Sequence, residues 1–492
     1  MSSDDPHEPL GQPLEEWRQH QTRRALLSRA GLGLGALALG PLLGRAQQSS
    51  TPAPAGSTGA RGPHHPPRVK RVIYLHMAGS PPQHDLFDYK PALEPIDRQP
   101  CPDSLIEGER FAFIKGHPKV LASPYRFEQV GPDAHWSELL PHLKGQLDKL
   151  MVVRSMTTDQ FNHAPAQLFL HTGSPQLGRP SFGAWTTYGL GSEADDLPGF
   201  VVLVSGGKTP SAGKSVWGSG FLPSVHQGVQ CRSQGDPVLF ASNPAGMDRA
   251  ARRSSLDALA KLNQQQAEEF GDPETRARVA QYELAFRMQM SVPGVMDLSR
   301  EDPETLALYG AEPGKASYAN NCLLARRLAE SGVRFVQLYD WGWDTHGTNP
   351  GDDLETQLPK KCGEIDRATS ALLIDLERRG LLEDTLVVWG GEFGRTCLNE
   401  ERGGSKYLGR DHHPHCFTLL FAGGGVRAGE WVGATDELGW RVTDTPIHVH
   451  DLQATLLHLL GLEHTRLTYP YQGREFRLTD VDGHVRPELL RV

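Results

Sequence analysis

Mostly apolar runs of five to seven residues limit the fold of this chain more than any other feature. They lie at residues 69–75, 149–154, 200–204, 333–338, 385–389 and 417–422. A strand with no polar alternation is buried on both faces, which is the habit of parallel sheets. Between the runs lie helical patterns, at 249–290, 320–331, 364–379 and 449–460. The third carries Ile365, Ala368, Leu372 and Leu376 on one face, with Gly380 as its terminator. Strands alternating with helices predict an α/β fold with a mostly parallel central sheet covered on both sides. Such sheets place ligands outside the carboxyl ends of their strands. The loops after Leu75, Arg154, Leu338 and Trp389 are therefore where chemistry is expected.

Those loops hold the residues able to do chemistry. After Leu338 comes Tyr339-Asp340-Trp341-Gly342-Trp343-Asp344-Thr345-His346-Gly347. A carboxylate and an imidazole two residues apart can converge on one cation when the turn bends them together. After Trp389 comes Gly390-Gly391-Glu392-Phe393-Gly394-Arg395. Glycines let the backbone approach a ligand closely, and a fixed guanidinium suits an oxyanion. A third cluster, Arg410-Asp411-His412-His413-Pro414-His415, puts three imidazoles in four residues. Imidazole is a ready ligand for zinc and similar ions. After the first strand, Asp85 is a further candidate ligand and Ser80 a candidate nucleophile or turn residue. Asn162-His163-Ala164-Pro165 follows the second strand.

The N-terminus reads as an address. Thr22-Arg23-Arg24-Ala25-Leu26-Leu27 precedes a Gly- and Ala-rich apolar run from Ala30 to Leu43, the pattern of a twin-arginine export signal over residues 1–46. The run is too short to span a bilayer comfortably, so an uncleaved anchor is the lesser expectation. Residues 47–67, rich in Ser, Pro, Gly and Ala, read as a disordered linker. Residues 68–492 form the remaining domain. The net charge of -9 carries no basic footprint for nucleic acid. The six cysteines contain no C-x-x-C pair and are too sparse for a disulfide scaffold, leaving at most one or two bridges.

From about Val69 to the end, the order of these clusters resembles the DUF1501 family, a bacterial family abundant in planctomycetes. It is grouped with the alkaline phosphatase and sulfatase superfamily. The motifs that carry the likeness are Trp343-Asp344-Thr345-His346-Gly347, Gly390 to Thr396, Gly409 to Pro414, and the terminal helix from Asp451 to Leu462. The resemblance implies an alkaline phosphatase-like three-layer sandwich and a site binding divalent metal (zinc, calcium or manganese). It implies an exported hydrolase of sulfate or phosphate esters, on small molecules or polysaccharides. Asp344, His346 and His412 or His413 look like one metal site, with Asp85 as the nearest substitute for a missing acidic pair.

The sequence departs from the sulfatase pattern at four further positions. Glu392 stands where an Asp is usual, and Phe393 replaces the following His. His163 falls on the nucleophile position, and Gln167 replaces an Arg. Three readings follow. Water is activated by Glu392 or His163 as base beside one metal, with Arg395 facing the oxyanion. His163 itself accepts the phosphoryl or sulfuryl group. Or the scaffold binds an oxyanion or a sugar at the cell surface without turnover.

Overall fold

In the computed structural model, residues 62–491 are described, apart from 236, 239–242, 244–245 and 271–272. The stretch read as an export signal, and most of that read as a linker, lie outside the described residues. Residues 62–68 run along the body of the fold: His64 and Arg68 donate backbone hydrogen bonds to Gly461 and Leu459.

The strands, in chain order, are β1 (Arg71–Ala78), β2 (Lys119–Val120), β3 (Leu150–Thr157), β4 (Phe200–Ser205), β5 (Val229–Gln230), β6 (Phe335–Trp341), β7 (Thr385–Gly390), β8 (Gly394–Asn399), β9 (Arg410–His413), β10 (Phe417–Gly423), β11 (Trp431–Val432) and β12 (Ile447–His448). Nine of them form the main sheet, in the order β11-β3-β10-β7-β1-β6-β4-β5, with β12 also paired to β3. All pairings are parallel except those of β10, which runs antiparallel to both β3 and β7. All six predicted strands are present in this sheet.

The main helices are α1 (His163–Thr172), α2 (Phe182–Leu190), α3 (Arg249–Phe270), α4 (Pro273–Met296), α5 (Tyr318–Glu330), α6 (Gln357–Arg378) and α7 (Val449–Leu459). Successive residues of a strand point to opposite faces, and β1 divides accordingly. Ile73, Leu75 and Met77 pack with Leu323 and Leu328 of α5, Ile365 and Leu372 of α6, and Met288 of α4. Val72 and Tyr74 pack with Phe169 of α1, Trp185 of α2 and Leu456 of α7. The result is a three-layer α/β/α sandwich with an apolar layer on each side of the sheet. Burying a side chain of this size contributes about 1.5–3 kcal/mol.

Two local features differ from the sequence reading. Helix α6 starts seven residues earlier than its apolar period shows, because Asp353 Oδ1 accepts from the backbone N–H of Thr356 and Gln357. That cap lets Pro359 sit inside the first turn, where its missing N–H is harmless. The third cluster is itself a strand: β8 and β9 pair antiparallel, and β2 pairs antiparallel with β8. All six cysteines are buried free thiols. Among the described residues, no helix is long and apolar enough to cross a membrane.

Candidate metal centre

Four elements end at one place. Asp344 and His346 follow β6, His163 is the first residue of α1 beyond β3, and His412 comes from β9. The loop after β1 is pressed against the loop carrying Asp344. Gly79, at φ +107, comes so close that a Cβ there would lie 2.6 Å from the Asp344 backbone nitrogen. No other residue fits both that space and that backbone angle.

Asp344 Oδ1 is the point of convergence. It lies 2.7 Å from His346 Nε2, 3.0 Å from His163 Nε2 and 3.4 Å from His412 Nε2. These four ligand atoms all lie within 4.8 Å of one another. A tetrahedral ion with bonds of 2.0–2.1 Å spaces its ligands by about 3.3 Å, and the three distances to Asp344 bracket that value.

The opposite ring nitrogens fix the tautomers. His163 Nδ1 is 2.7 Å from Glu392 Oε1, His412 Nδ1 is 2.7 Å from the Phe161 carbonyl, and His346 Nδ1 is bonded to Glu400. Carboxylates and carbonyls only accept, so each Nδ1 carries the hydrogen and each neutral ring turns the lone pair of Nε2 inward. His163 Nε2 is buried and makes no hydrogen bond despite its closeness to Asp344. Lone pairs crowded on a carboxylate oxygen repel unless a cation or protons stand between them. The donor set therefore fits a metal ion, which His163, Asp344, His346 and His412 would hold.

Without metal, protons take that place. Burial opposes charge on His163, but Asp344 and Glu392 outweigh it and raise its pKa to about 9. Burial likewise opposes charge on His346, and Asp344 and Glu400 turn the balance upward. Asp344 is driven well below the carboxylate range: burial acts against this, but Arg395 and the three imidazoles prevail. His412 is pushed down to about 3, first by burial.

Further shells support the four residues. Glu392 Oε1 also accepts from Gln167 Nε2 at 2.9 Å and from the Gly79 N–H at 3.2 Å. Its other oxygen lies 3.2 Å from His76 Nε2, and His76 Nδ1 lies 3.2 Å from His171 Nε2. A buried polar chain thus runs from the centre into the α1 face of the sheet. Phe393 packs its ring 4.9 Å from that of His163 and 4.6 Å from that of His412. Phe113 stands edge-on over His346 and His412, with the Arg402 guanidinium 3.9 Å from its ring centre. Glu400 and Asp411 also come near His346. Their oxygens, however, accept from His346, Arg402 and the N–H groups of Phe113, Ile114 and His412.

Residues 69–490 match the model of the DUF1501 family, described as "Protein of unknown function (DUF1501)". The chain belongs to the DUF1501 family. No curated protein matches it. Among solved structures, this DUF1501 protein is similar to a sulfatase from Pseudoalteromonas sp., at 12% identity over 80% of this chain and 68% of the other, with a TM-score of 0.34. It is similar to a phosphonate monoester hydrolase from Silicibacter pomeroyi, at 14% identity over 71% of each chain and a TM-score of 0.30. It is also similar to the zinc complex of a periplasmic domain from Escherichia coli, at 11% identity over 86% and 88% and a TM-score of 0.34.

Two residues expected as ligands stand apart from the centre of this DUF1501 protein. Asp85, on the helical turn Gln83–Leu86, is buried and gives both oxygens to Arg410, at 2.7 and 3.0 Å. His413 follows His412 on a strand, so it points to the opposite face. There its Nε2 is 2.7 Å from the Trp440 carbonyl. Among the expected catalytic residues, His163 stands within the ligand group and Glu392 directly behind it. Arg395 reaches Asp344 Oδ1 at 2.6 Å, but its other donors go to the carbonyls of Gly79, Ser80 and Arg410. Ser80 is buried at φ +63, and its Oγ accepts from the Phe393 N–H. Sequence reading did not find Glu400 or the Phe161 carbonyl. Glu400 has no motif around it, and a carbonyl leaves no trace in the residue type.

Proposed function

We propose that this protein is an exported, metal-dependent hydrolase of sulfate or phosphate esters, carried by the twin-arginine route to the periplasm or cell surface. The observation that carries the reading is the convergence of three imidazole Nε2 atoms on Asp344 Oδ1, each ring anchored behind by an acceptor. An N₃O donor set suits zinc or another imidazole-binding ion better than calcium, which takes oxygen ligands. When bound, such an ion would supply Lewis acidity and would lower the pKa of a water taken up beyond the four protein ligands. His163, Asp344, His346 and His412 would hold it, and Glu392 and Glu400 keep two of the rings oriented and basic. Arg395 fixes the Asp344 carboxylate. Phe113 and Phe393 shield the imidazoles from water.

The second reading is a binder of oxyanions or sugars without turnover. It is favoured by one observation: Arg395, placed to meet an oxyanion, is fully engaged within the protein. Elemental analysis followed by an ester panel separates the two. Metal-loaded protein is expected to hydrolyse an aryl sulfate, an aryl phosphate or a phosphodiester, and His412→Ala to abolish both metal and turnover. Loaded protein inert to all three leaves only the binder.

A further inference from the structure

Three polar side chains sit among apolar ones on the α1 side of the sheet: His76 of β1, Gln337 of β6 and His171 of α1. All three are buried. His76 lies in register with Tyr339, and Tyr74 with Gln337, so these four are neighbours on one face of two parallel strands. Helix α1 covers them. Its residues His163, Gln167 and His171 follow at intervals of four and so form one stripe. The first belongs to the ligand group, and the second donates to Glu392 Oε1 at 2.9 Å. The third brings its Nε2 to 3.2 Å from His76 Nδ1. Edge-on contacts with Tyr74 and Tyr339 fix the planes of both rings. Polar groups at this depth are costly to bury unless each hydrogen meets an acceptor.

The hydrogens of this group have one consistent arrangement. Burial opposes charge on Glu392, but His163 and His76 outweigh it and keep the carboxyl ionised. A carboxylate only accepts, so His76 Nε2, 3.2 Å from Glu392 Oε2, carries a hydrogen. Among the described residues neither of these two atoms hydrogen-bonds elsewhere. His76 Nδ1 is then a lone pair and takes the hydrogen of His171 Nε2. That leaves His171 Nδ1 bare. It is the nearer of the two ring nitrogens to Gln337 Nε2, at 2.9 against 3.4 Å, and an amide nitrogen only donates. The order imposed by the carboxylate at one end thus agrees with the amide at the other. Burial, and then the His76 ring, keep His171 neutral. An amide does not pass a proton on, so the chain is closed and serves to orient.

We infer that His76, backed by His171 and Gln337, is a positioning residue for the metal. Glu392 Oε1 has donors in His163, Gln167 and the Gly79 N–H, whereas Oε2 has His76 alone. With His76 in place the carboxylate is held at both oxygens. Oε1 then stays on the His163 Nδ1 hydrogen, and the Nε2 lone pair of His163 stays aimed at the ion. Without His76, Oε2 is a buried charged oxygen lacking a donor, and the carboxylate turns to share its remaining donors at the expense of His163. The inference rests on the metal-centre reading and extends it two shells past Glu392.

The test titrates zinc into the metal-free full chain against a chromogenic chelator. His76→Leu fills the space without a donor and is expected to bind zinc about ten-fold more weakly, the low end of the cost of losing such a partner. His76→Gln returns an N–H near the place of Nε2 and should recover most of that loss. In a Glu392→Ala background the link is gone, and His76→Leu should change the affinity no further. A packing role alone gives the opposite result, since an apolar side chain in an apolar layer would leave zinc binding as it was. In the zinc-loaded wild type, long-range proton–nitrogen NMR should find hydrogen on Nε2 of His76 and His171 and on Nδ1 of His163. That measurement needs no variant, so it decides the matter should His76→Leu not fold. Unchanged affinity in His76→Leu, or hydrogen on His76 Nδ1, overturns the inference while the metal centre stands. A wild-type chain that takes up no zinc overturns the metal centre, and this inference with it.

Discussion

Arg395 and His412 are partners across the antiparallel pair β8–β9, and both reach Asp344 Oδ1, at 2.6 and 3.4 Å. A single backbone register thus brings a permanent cation and a neutral imidazole to one carboxylate oxygen. The cation keeps Asp344 ionised whatever the state of the histidines, so the carboxylate is ready before a metal arrives. Binding then requires only that the protons on the imidazoles leave.

The four converging residues should share one fate. Replacing His163, Asp344, His346 or His412 with Ala is expected to reduce bound metal from one equivalent to a small fraction, measured by elemental analysis after desalting. His413→Ala should keep its metal and lose about 1–3 kcal/mol of stability, since the Trp440 carbonyl is left without a partner. Loss of metal in His413→Ala, or its retention in His412→Ala, would contradict the assignment.

Glu392 acts on the metal through His163. Glu392→Gln keeps the shape but removes the charge that makes the ring a strong donor. Metal affinity is expected to drop 10–100-fold, the usual cost of losing such a partner. Competition with a chromogenic chelator measures it, and an unchanged affinity would show that Glu392 does not tune the ligand.

The metal-free protein should be most stable near pH 6.5. His163 holds its proton more tightly folded, up to about pH 9, than unfolded, at about 6.5. Its contribution is complete below pH 6.5 and lost as pH rises through 9. His412 and His413 run the other way: burial pushes both down to about 3. The unfolded chain then binds more protons between pH 3 and 6.5, and stability falls on acidification. Melting temperatures of the chelator-treated protein from pH 4 to 9.5 check the maximum; a steady rise across pH 6.5 to 9 would refute it. Because protons and metal compete for His163, metal affinity should also climb over that upper range.

Asp85 belongs to the scaffold. Its two bonds to Arg410 form a fully buried pair, and Asp85→Ala leaves that guanidinium without its carboxylate. The expected cost is about 3–5 kcal/mol of stability, with metal per folded molecule unchanged. Chemical denaturation and elemental analysis of the soluble fraction together distinguish this from a ligand's loss.

The sheet was legible because its strands are mostly apolar on both faces, a pattern that survives without knowledge of the partners. The site was legible where chemistry is concentrated: Asp344, His346 and His412 each sit in a motif. What stayed hidden depends on direction. Whether His412 or His413 faces the centre is decided by β9 being a strand, and its polar residues carry no apolar signal. Asp85 has the right chemistry and lies after the right strand, but its availability turns on Arg410, far away in sequence. His163 appears alone in its segment and joins the ligand group only because α1 starts beside the loop after β6.

The one reversed strand of the main sheet has a consequence for how this centre tolerates change. Because β10 runs against its neighbours, its first residue, Phe417, lies at the same edge as the metal ligands. Only Pro414, His415 and Cys416 separate it from β9. With so short a connection, a gained or lost residue that moved β9 by one position against β8 would exchange its two faces. His413 or Asp411 then arrives where His412 had been, and both are side chains able to bind a cation. A frame of alternating donors thus gives this corner of the molecule a spare at each step, so small length changes can retune the coordination sphere without emptying it.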